Sequence, residues 1–330
     1  MLKNFLDLLA ALFGARRLPP PPPVPADDPG YLFSLRPQKV LLIVFDPKMP
    51  DGQPLSRSRG WNAVSDLVRT FQDQLLELSY GLARFEIVER LDLDEFPQKV
   101  DGFRYTPTTY LDVLRGLTPP HQPQEVDYMT LMRRFQLFSR VERGEIDEVW
   151  CFAFPYAGFY ESTMAGRDAF WCNAPPVAGS EACKRRFVIM GFSYERGVGE
   201  MLEAFGHRAE SILERVFAPL QGEANLWKRF TRYEKIAPGQ AAVGTIHFAP
   251  NSERDYDWGN PRPVWSECDD WLLNFPDFQG LKRLVSAADW GNGDLLEHHR
   301  WWFRHLPHVA GRKNGILHNW WAYLLLQADF

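Results

Sequence analysis

Apolar positions recur at helical spacing from the first residues of the chain. In MLKNFLDLLAALFGARR, Leu2, Phe5, Leu6, Leu9, Leu12 and Phe13 share one side of a helical wheel, and Lys3, Asn4 and Asp7 take the other. The pattern predicts an amphipathic helix over 1–17, followed by a proline-rich polyproline II spacer over 18–30 that cannot pack a core. The folded body is therefore expected from residue 31. KVLLIVFDP (39–47) is an apolar, β-branched run closed by Asp-Pro, as a buried strand should be. SDLVRTFQDQLLELSYG (65–81) reads as a helix stopped by glycine, and ARFEIVERLDLDEFP (83–97) as a strand and loop. TLMRRFQLFSRVERG (130–144) predicts another helix, and IDEVWCFAFP (146–155) and RRFVIMGFSYE (185–195) predict two further strands. The alternation predicts an α/β or α+β fold, a mixed sheet with flanking helices, over 31–217. Residues 218–330 carry one helical run, NLWKRFTRYEK (225–235), among Gly-, Pro- and Trp-rich loops, and are expected to pack on the body as an aromatic, loop-rich part.

The longest helical pattern, over 197–217, contains GEMLEAFGHRAE. At about 100° per residue, Glu200, Glu203, His207 and Glu210 fall within an arc of about 80°. Leu202, Phe205, Ala209, Ile212, Leu213 and Val216 cover the opposite side. Residues four apart sit one turn apart, so Glu203 and His207 can reach a single ion. The stretch resembles the HExxH helix of zincin metallopeptidases, with Glu203 at the first ligand position and Phe205, Gly206 and His207 matching an FGH ending. The resemblance covers about a dozen residues. It implies a zincin-like body and a ligand role for Glu203 and His207. It also implies that hydrolysis by the usual route is lost, because Ala204 stands where that family has its general base and cannot accept a proton. Three readings of this face stay open: the wet side of an ordinary helix; a divalent metal site (zinc, manganese or iron) formed by Glu203, His207 and Glu210; and a metal-free cleft wall that holds a peptide or glycan.

Composition narrows the function classes. The 330 residues are 45% hydrophobic and 24% charged with a net charge of −5, which argues against a nucleic-acid partner. Residues 1–17 are interrupted by Asp7 and followed by Arg16 and Arg17, so an interfacial anchor or partner-docking helix fits better than an export signal. A secreted or membrane-associated location is accordingly favoured over a cytoplasmic one. Aromatic residues make up 14% of the chain, including 12 Trp, and fit a large core better than a sugar platform. Cys172 and Cys183 bracket a Pro- and Gly-containing loop, and a bridge between them stays open.

Further candidate chemistry lies in three loops. Residues 154–176 collect Tyr156, Tyr160, Glu161, Ser162, Asp168 and Asn173 after a predicted strand, a natural site wall. Residues 244–260 offer His247 as a general base or further ligand, with Asn251, Asp255, Asp257 and Trp258 beside it. Asp269 and Asp270, with Glu161 and Glu267, raise the alternative of a glycan hydrolase working through paired carboxylates. Catalytic candidates are thus Glu200, Glu161, His247, Asp269 and Asp270, and candidates for substrate contact are Tyr156, Tyr160, Asp255 and Trp258. Five of the eight His fall between 298 and 318, where their Trp neighbours suggest packing instead of metal binding. The leading expectation is a zincin-like protein without the usual catalytic Glu, either metal-binding or a pseudo-enzyme that recognises peptide or glycan. A non-enzymatic surface interaction protein is the third reading.

Overall fold

The computed structural model describes residues 26–330. The expected helix over 1–17 and most of the proline spacer lie outside the described residues. The first strand, β1 (Gln38–Phe45), is almost wholly buried and occupies the interior of a five-stranded mixed sheet. Helix α1 (Val64–Leu78) connects it to β2 (Phe85–Leu93), which pairs with it in parallel. β2 alternates buried or half-buried and exposed positions, as an edge strand with one wet face should.

Three short helices follow: α2 (Pro107–Leu114), α3 (Tyr128–Arg134) and α4 (Leu137–Glu142). The last two replace the single helix expected over 130–144. Gln136 between them is left-handed (φ 53°), and the break lets Leu131 and Met132 on one side and Leu137 and Val141 on the other all reach the core. β3 (Glu148–Ala153) is buried at every position and runs parallel to β1. β4 (Ser162–Ala165) lies within the segment read as an irregular loop and pairs antiparallel with β5 (Phe187–Ser193), giving the order β2-β1-β3-β5-β4. Ser162 and Thr163 look polar in sequence, yet both are buried because their hydroxyls donate to the carbonyls of Cys172 and Pro175.

Directly after β5 comes α5 (Val198–Phe217), 20 residues and about 30 Å long. The remainder is α6 (Leu226–Phe230), β6 (Val264–Ser266), α7 (Cys268–Leu273), β7 (Arg283–Val285), α8 (Leu295–Arg304), β8 (His308–Lys313), β9 (Ile316–Asn319) and α9 (Trp321–Leu324). Helices α8 and α9 pack against α5, and the helix expected over 225–235 shortens to the five residues of α6. Most of the tryptophans form core. Trp271, Trp302 and Trp320 are fully buried around Phe230 in edge-to-face contacts with centroids 5.2 to 5.8 Å from its ring. Cys172 and Cys183 are both buried and not bridged: Cys172 faces Ser162, and Cys183 faces the carbonyl of Arg185. Among the described residues no helix is long and apolar enough to cross a membrane.

Two buried carboxylates fasten this architecture. Arg208, on the sheet-facing side of α5, donates Nη1 and Nη2 to Glu148 of β3 at 3.1 and 2.8 Å, and Nη2 also reaches the Leu324 carbonyl of α9 at 2.7 Å. Trp150 Nε1 supplies a further bond to Glu148 at 2.6 Å. The neighbouring Asp147 receives a bidentate pair from Arg36 at 2.6 and 2.7 Å, a bond from Arg185 at 2.9 Å and the Lys39 amide at 3.0 Å. Burial pushes the Asp147 carboxyl up, but these donors outweigh it and hold the group at about 2.

Glu148→Ala should cost about 3–5 kcal/mol, because it leaves the Arg208 guanidinium buried without a counter-charge. Replacing both partners by Leu and Met should cost far less, and urea midpoints of the parent and the two variants check this. The Asp147 carboxyl sits below its ordinary 3.8, so its contribution is present at higher pH and is lost as pH falls toward about 2. The stability gap between the parent and Asp147→Asn, measured by denaturant titration, should therefore shrink as the pH is lowered through that window.

Candidate metal centre

Gly206 sets up the site. A Cβ there would lie 2.5 Å from two atoms of the Ile246 side chain, so only glycine lets the 244–248 loop lie directly on α5. The approach is fixed by the Ile246 amide, which donates to Glu210 Oε1 at 2.9 Å. It carries the next residue, His247, onto the helix face that bears Glu203 and His207. His247 Nε2 is 3.0 Å from Glu203 Oε1, and His207 Nε2 is 3.9 Å from the same oxygen. The two imidazoles stand edge to face with centroids 4.6 Å apart. One donor atom from each of the three residues lies within 4.8 Å of the others, so the group could hold a metal ion. Donors about 2.0–2.1 Å from a tetrahedral ion are roughly 3.3 Å apart, so small side-chain shifts suffice.

Each imidazole is aimed from behind. His247 Nδ1 is 2.9 Å from Asp255 Oδ1, and His207 Nδ1 is 3.2 Å from Glu210 Oε2. A carboxylate on the far nitrogen fixes the ring and turns Nε2 toward the shared space, the usual arrangement behind metal-binding histidines. Glu210 therefore sits behind a ligand: both of its oxygens are taken, one by His207 and one by the Ile246 amide. Glu203 Oε1 also accepts the Tyr256 hydroxyl at 2.7 Å. Burial raises the Glu203 carboxyl, but the bonds from His247 and Tyr256 outweigh it and hold it at about 2. Burial lowers His247, yet Glu203 and Asp255 outweigh that and raise it. The carboxylates of Glu203, Glu210 and Asp255 thus gather around the two imidazoles. His299 stands beside them, fully buried, with Nδ1 on the Gly199 carbonyl at 3.1 Å and Nε2 without a partner.

A cleft of about 610 Å³ runs along the first turns of the same helix. Its walls come from the loop after β3 (Phe154 to Phe159), the end of β5 and the turn after it (Ser193, Glu195 and Arg196) and the first turns of α5, where Glu200, Met201 and Ala204 face it. Trp61 closes one side and Glu161 another. Glu161 accepts from Asn173 Nδ2 at 2.8 Å, and its charge helps to raise the Tyr256 hydroxyl, where burial is the largest cause, followed by the bond to Glu203. The cleft wall and the ligand group share α5: Glu200, Met201 and Ala204 line the cleft, and Glu203 and His207 belong to the group. Buried Lys99 holds the cleft wall from beneath, its ammonium donating to the carbonyls of Gln124, Tyr156 and Ala157 at 2.6 Å each.

The expected site residues divide accordingly. Glu200, Glu161 and Tyr156 line the cleft, and Glu203, His207 and His247 form the ligand group. Tyr160 stacks on Tyr128 with parallel rings 6.1 Å apart. Asp255 serves His247. Trp258 is no platform: it is 4% exposed and stacked on His298 at 4.7 Å, because the indole is needed to cover the buried histidines of α8. Asp269 and Asp270 are no facing pair in the cleft. Arg283 holds Asp269 at 2.7 Å, while Asp270 accepts from Asn274, the Gln279 amide and the Gly280 amide. Of the remaining loop residues, Asn251 bonds backbone carbonyls, Asp257 the Asn260 amide group and Glu267 the Arg229 guanidinium. Cys268, Asp269 and His305 form a second group with donor atoms within 4.8 Å. There the Arg283 guanidinium, shared with Asp289, already supplies the positive charge. Tyr256 and His299 carry no sequence signal of their own; the glycines opposite Ile246 and Leu295, Gly206 and Gly199, mark where their segments press on the helix.

Compared with protein-family models, curated proteins and solved structures, the chain matches none of them.

Purified protein titrated with zinc or manganese should bind one ion per chain at this group. Glu203→Gln, His207→Ala and His247→Ala should each abolish it, whereas Asp255→Asn should keep the ion with about 10- to 100-fold weaker affinity. Equilibrium dialysis with elemental analysis reads both effects.

Proposed function

We propose that this is a zincin-like, zinc-binding protein that holds a peptide in the cleft beside the ion and lacks the proton acceptor used by hydrolytic members of that family. The observation that carries the reading is the convergence of Glu203, His207 and His247, each imidazole backed by its own carboxylate. Two imidazole nitrogens and one carboxylate oxygen with a fourth position open are a zinc donor set. A zinc ion bound there supplies Lewis-acid attraction for a carbonyl or carboxylate oxygen.

The chain's own groups do the rest. Trp61, Tyr156 and Phe159 offer apolar contact in the cleft, and Glu161, Glu195, Glu200 and Arg196 offer polar contact for an extended chain. Tyr256 keeps its proton and holds Glu203 in place. Ala204, in the cleft wall next to Glu203, can neither take nor give a proton, so binding is separated from cleavage at this position. A peptide is favoured over a glycan because Asp269 and Asp270 are committed elsewhere and Trp258 is buried.

Zinc-loaded protein should retain unstructured peptides in a pull-down read by mass spectrometry, leave them uncleaved, and lose at least tenfold of that retention on chelation or in His247→Ala. Peptide retention that ignores the ion, or a protein that takes up no zinc, would overturn the reading.

A further inference from the structure

A second cavity, of about 370 Å³, lies at the far end of α5, beyond Phe217. From Glu203 to Phe217 the helix rises about 21 Å, so this chamber is separate from the ligand group. Its walls are apolar and half-buried: Leu220 from the turn after α5, Leu226 from the start of α6, Phe278 from the loop after α7 and Ile316 from β9, with buried Trp320 behind them. Solvent-facing apolar side chains gathered around a chamber of this size are the usual make-up of a small-molecule site.

The charged rim leaves one cation unspent. Glu223 is taken by Arg232. Arg229 is taken by Glu267 at 2.9 Å and lies flat over the Phe278 ring at 3.9 Å. His318 is fixed by its Nδ1 bond to the Ala310 carbonyl, and burial pushes its ring down from the ordinary value, so it is neutral near pH 7. Ion-paired lysines are Lys48 and Lys282, whereas Lys313, exposed on the rim, forms no ion pair among the described residues. The chamber therefore presents an apolar interior with the Lys313 ammonium on its rim; Asp27, which accepts the Asn314 amide, and Asp277 lie in the same region, and neither forms an ion pair with Lys313 among the described residues.

We propose that this cavity binds a small amphipathic monocarboxylate, its apolar body against Leu220, Leu226, Phe278 and Ile316 and its carboxylate on Lys313. A neutral molecule of the same shape gains the apolar contact but leaves the ammonium unanswered. A cationic one is repelled.

The test uses the full chain, with octanoate as probe and octan-1-ol as its neutral counterpart, followed at low salt by calorimetry and by tryptophan fluorescence, since Trp320 forms part of the wall. One saturable site should appear, with octanoate at least tenfold tighter than octanol. Lys313→Gln should erase that preference while leaving octanol binding within about twofold. Ala224→Trp, at an exposed position on the rim, should fill the chamber and remove both ligands without changing zinc uptake. Absence of saturable octanoate binding, equal affinity for the two probes, or binding that survives both variants would each overturn the proposal. Failure here leaves the zinc reading untouched, because that reading depends on residues about three to four turns away along α5 and on His247 in another loop.

Discussion

The ion pair between Arg208 and Glu148 is the constraint on which the rest of the molecule turns. Two charges with side chains 1% and 2% exposed are tolerable only when they answer each other, and here Nη1 and Nη2 of the guanidinium meet a carboxylate on β3 and a carbonyl on α9, leaving Nε alone without a partner, while the carboxylate also meets an indole. The pair fixes the rotation of α5 about its own axis. With Arg208 turned to the sheet, Glu203 and His207 are turned toward the 244–258 loop, and Ala204 and Glu200 toward the ends of β3 and β5. A single helix thereby faces two sites on its flanks and a chamber at its end, and all of them inherit their placement from one buried contact.

The close approaches along α5 follow from glycine and not from any long-range attraction. Gly199 admits Leu295 of α8, and Gly206, two turns on, admits Ile246. Both fall on the side where the carboxyl-terminal part comes down on the helix. That part has little regular structure of its own, and it is held by the aromatic core around Phe230, Trp271, Trp302 and Trp320. The helix supplies rigidity, the aromatic core supplies attachment, and the loop between them supplies His247, Asp255 and Tyr256.

How much of this was legible in the sequence depends on the range of the signal. β1, β3 and β5 are buried on both faces, so their apolar runs announce them. α1 and α5 alternate on a period that needs no partner to be seen. The edge strand β4 was hidden because its polar residues are satisfied by backbone carbonyls of a later loop, a tertiary fact. The break at Gln136 was hidden for the same reason: nothing local forbids a helix there, and the core alone requires two. At the site, Glu203 and His207 could be paired because they are one turn apart on one element. His247 could be picked out only as a lone candidate, since the sequence does not say which loop lies on which helix face. The sequence offers Asp255 and Trp258 as substrate contacts; in the fold Asp255 orients an imidazole, and Trp258 seals a core. Glu210 looked like a ligand by spacing, and only the Ile246 amide shows that it is already engaged.

The three donors come from two stretches of chain about forty residues apart, one on a rigid helix and the other on a loop tied down mainly at its neighbours. An ion bound there, as proposed, would clasp this long excursion, so that its occupancy and the folding of the carboxyl-terminal part would be coupled. A cell that limits the ion would first loosen the carboxyl-terminal aromatic part, leaving the five-stranded sheet and its helix standing. Metal supply would thereby govern how long the protein survives as well as what it can hold.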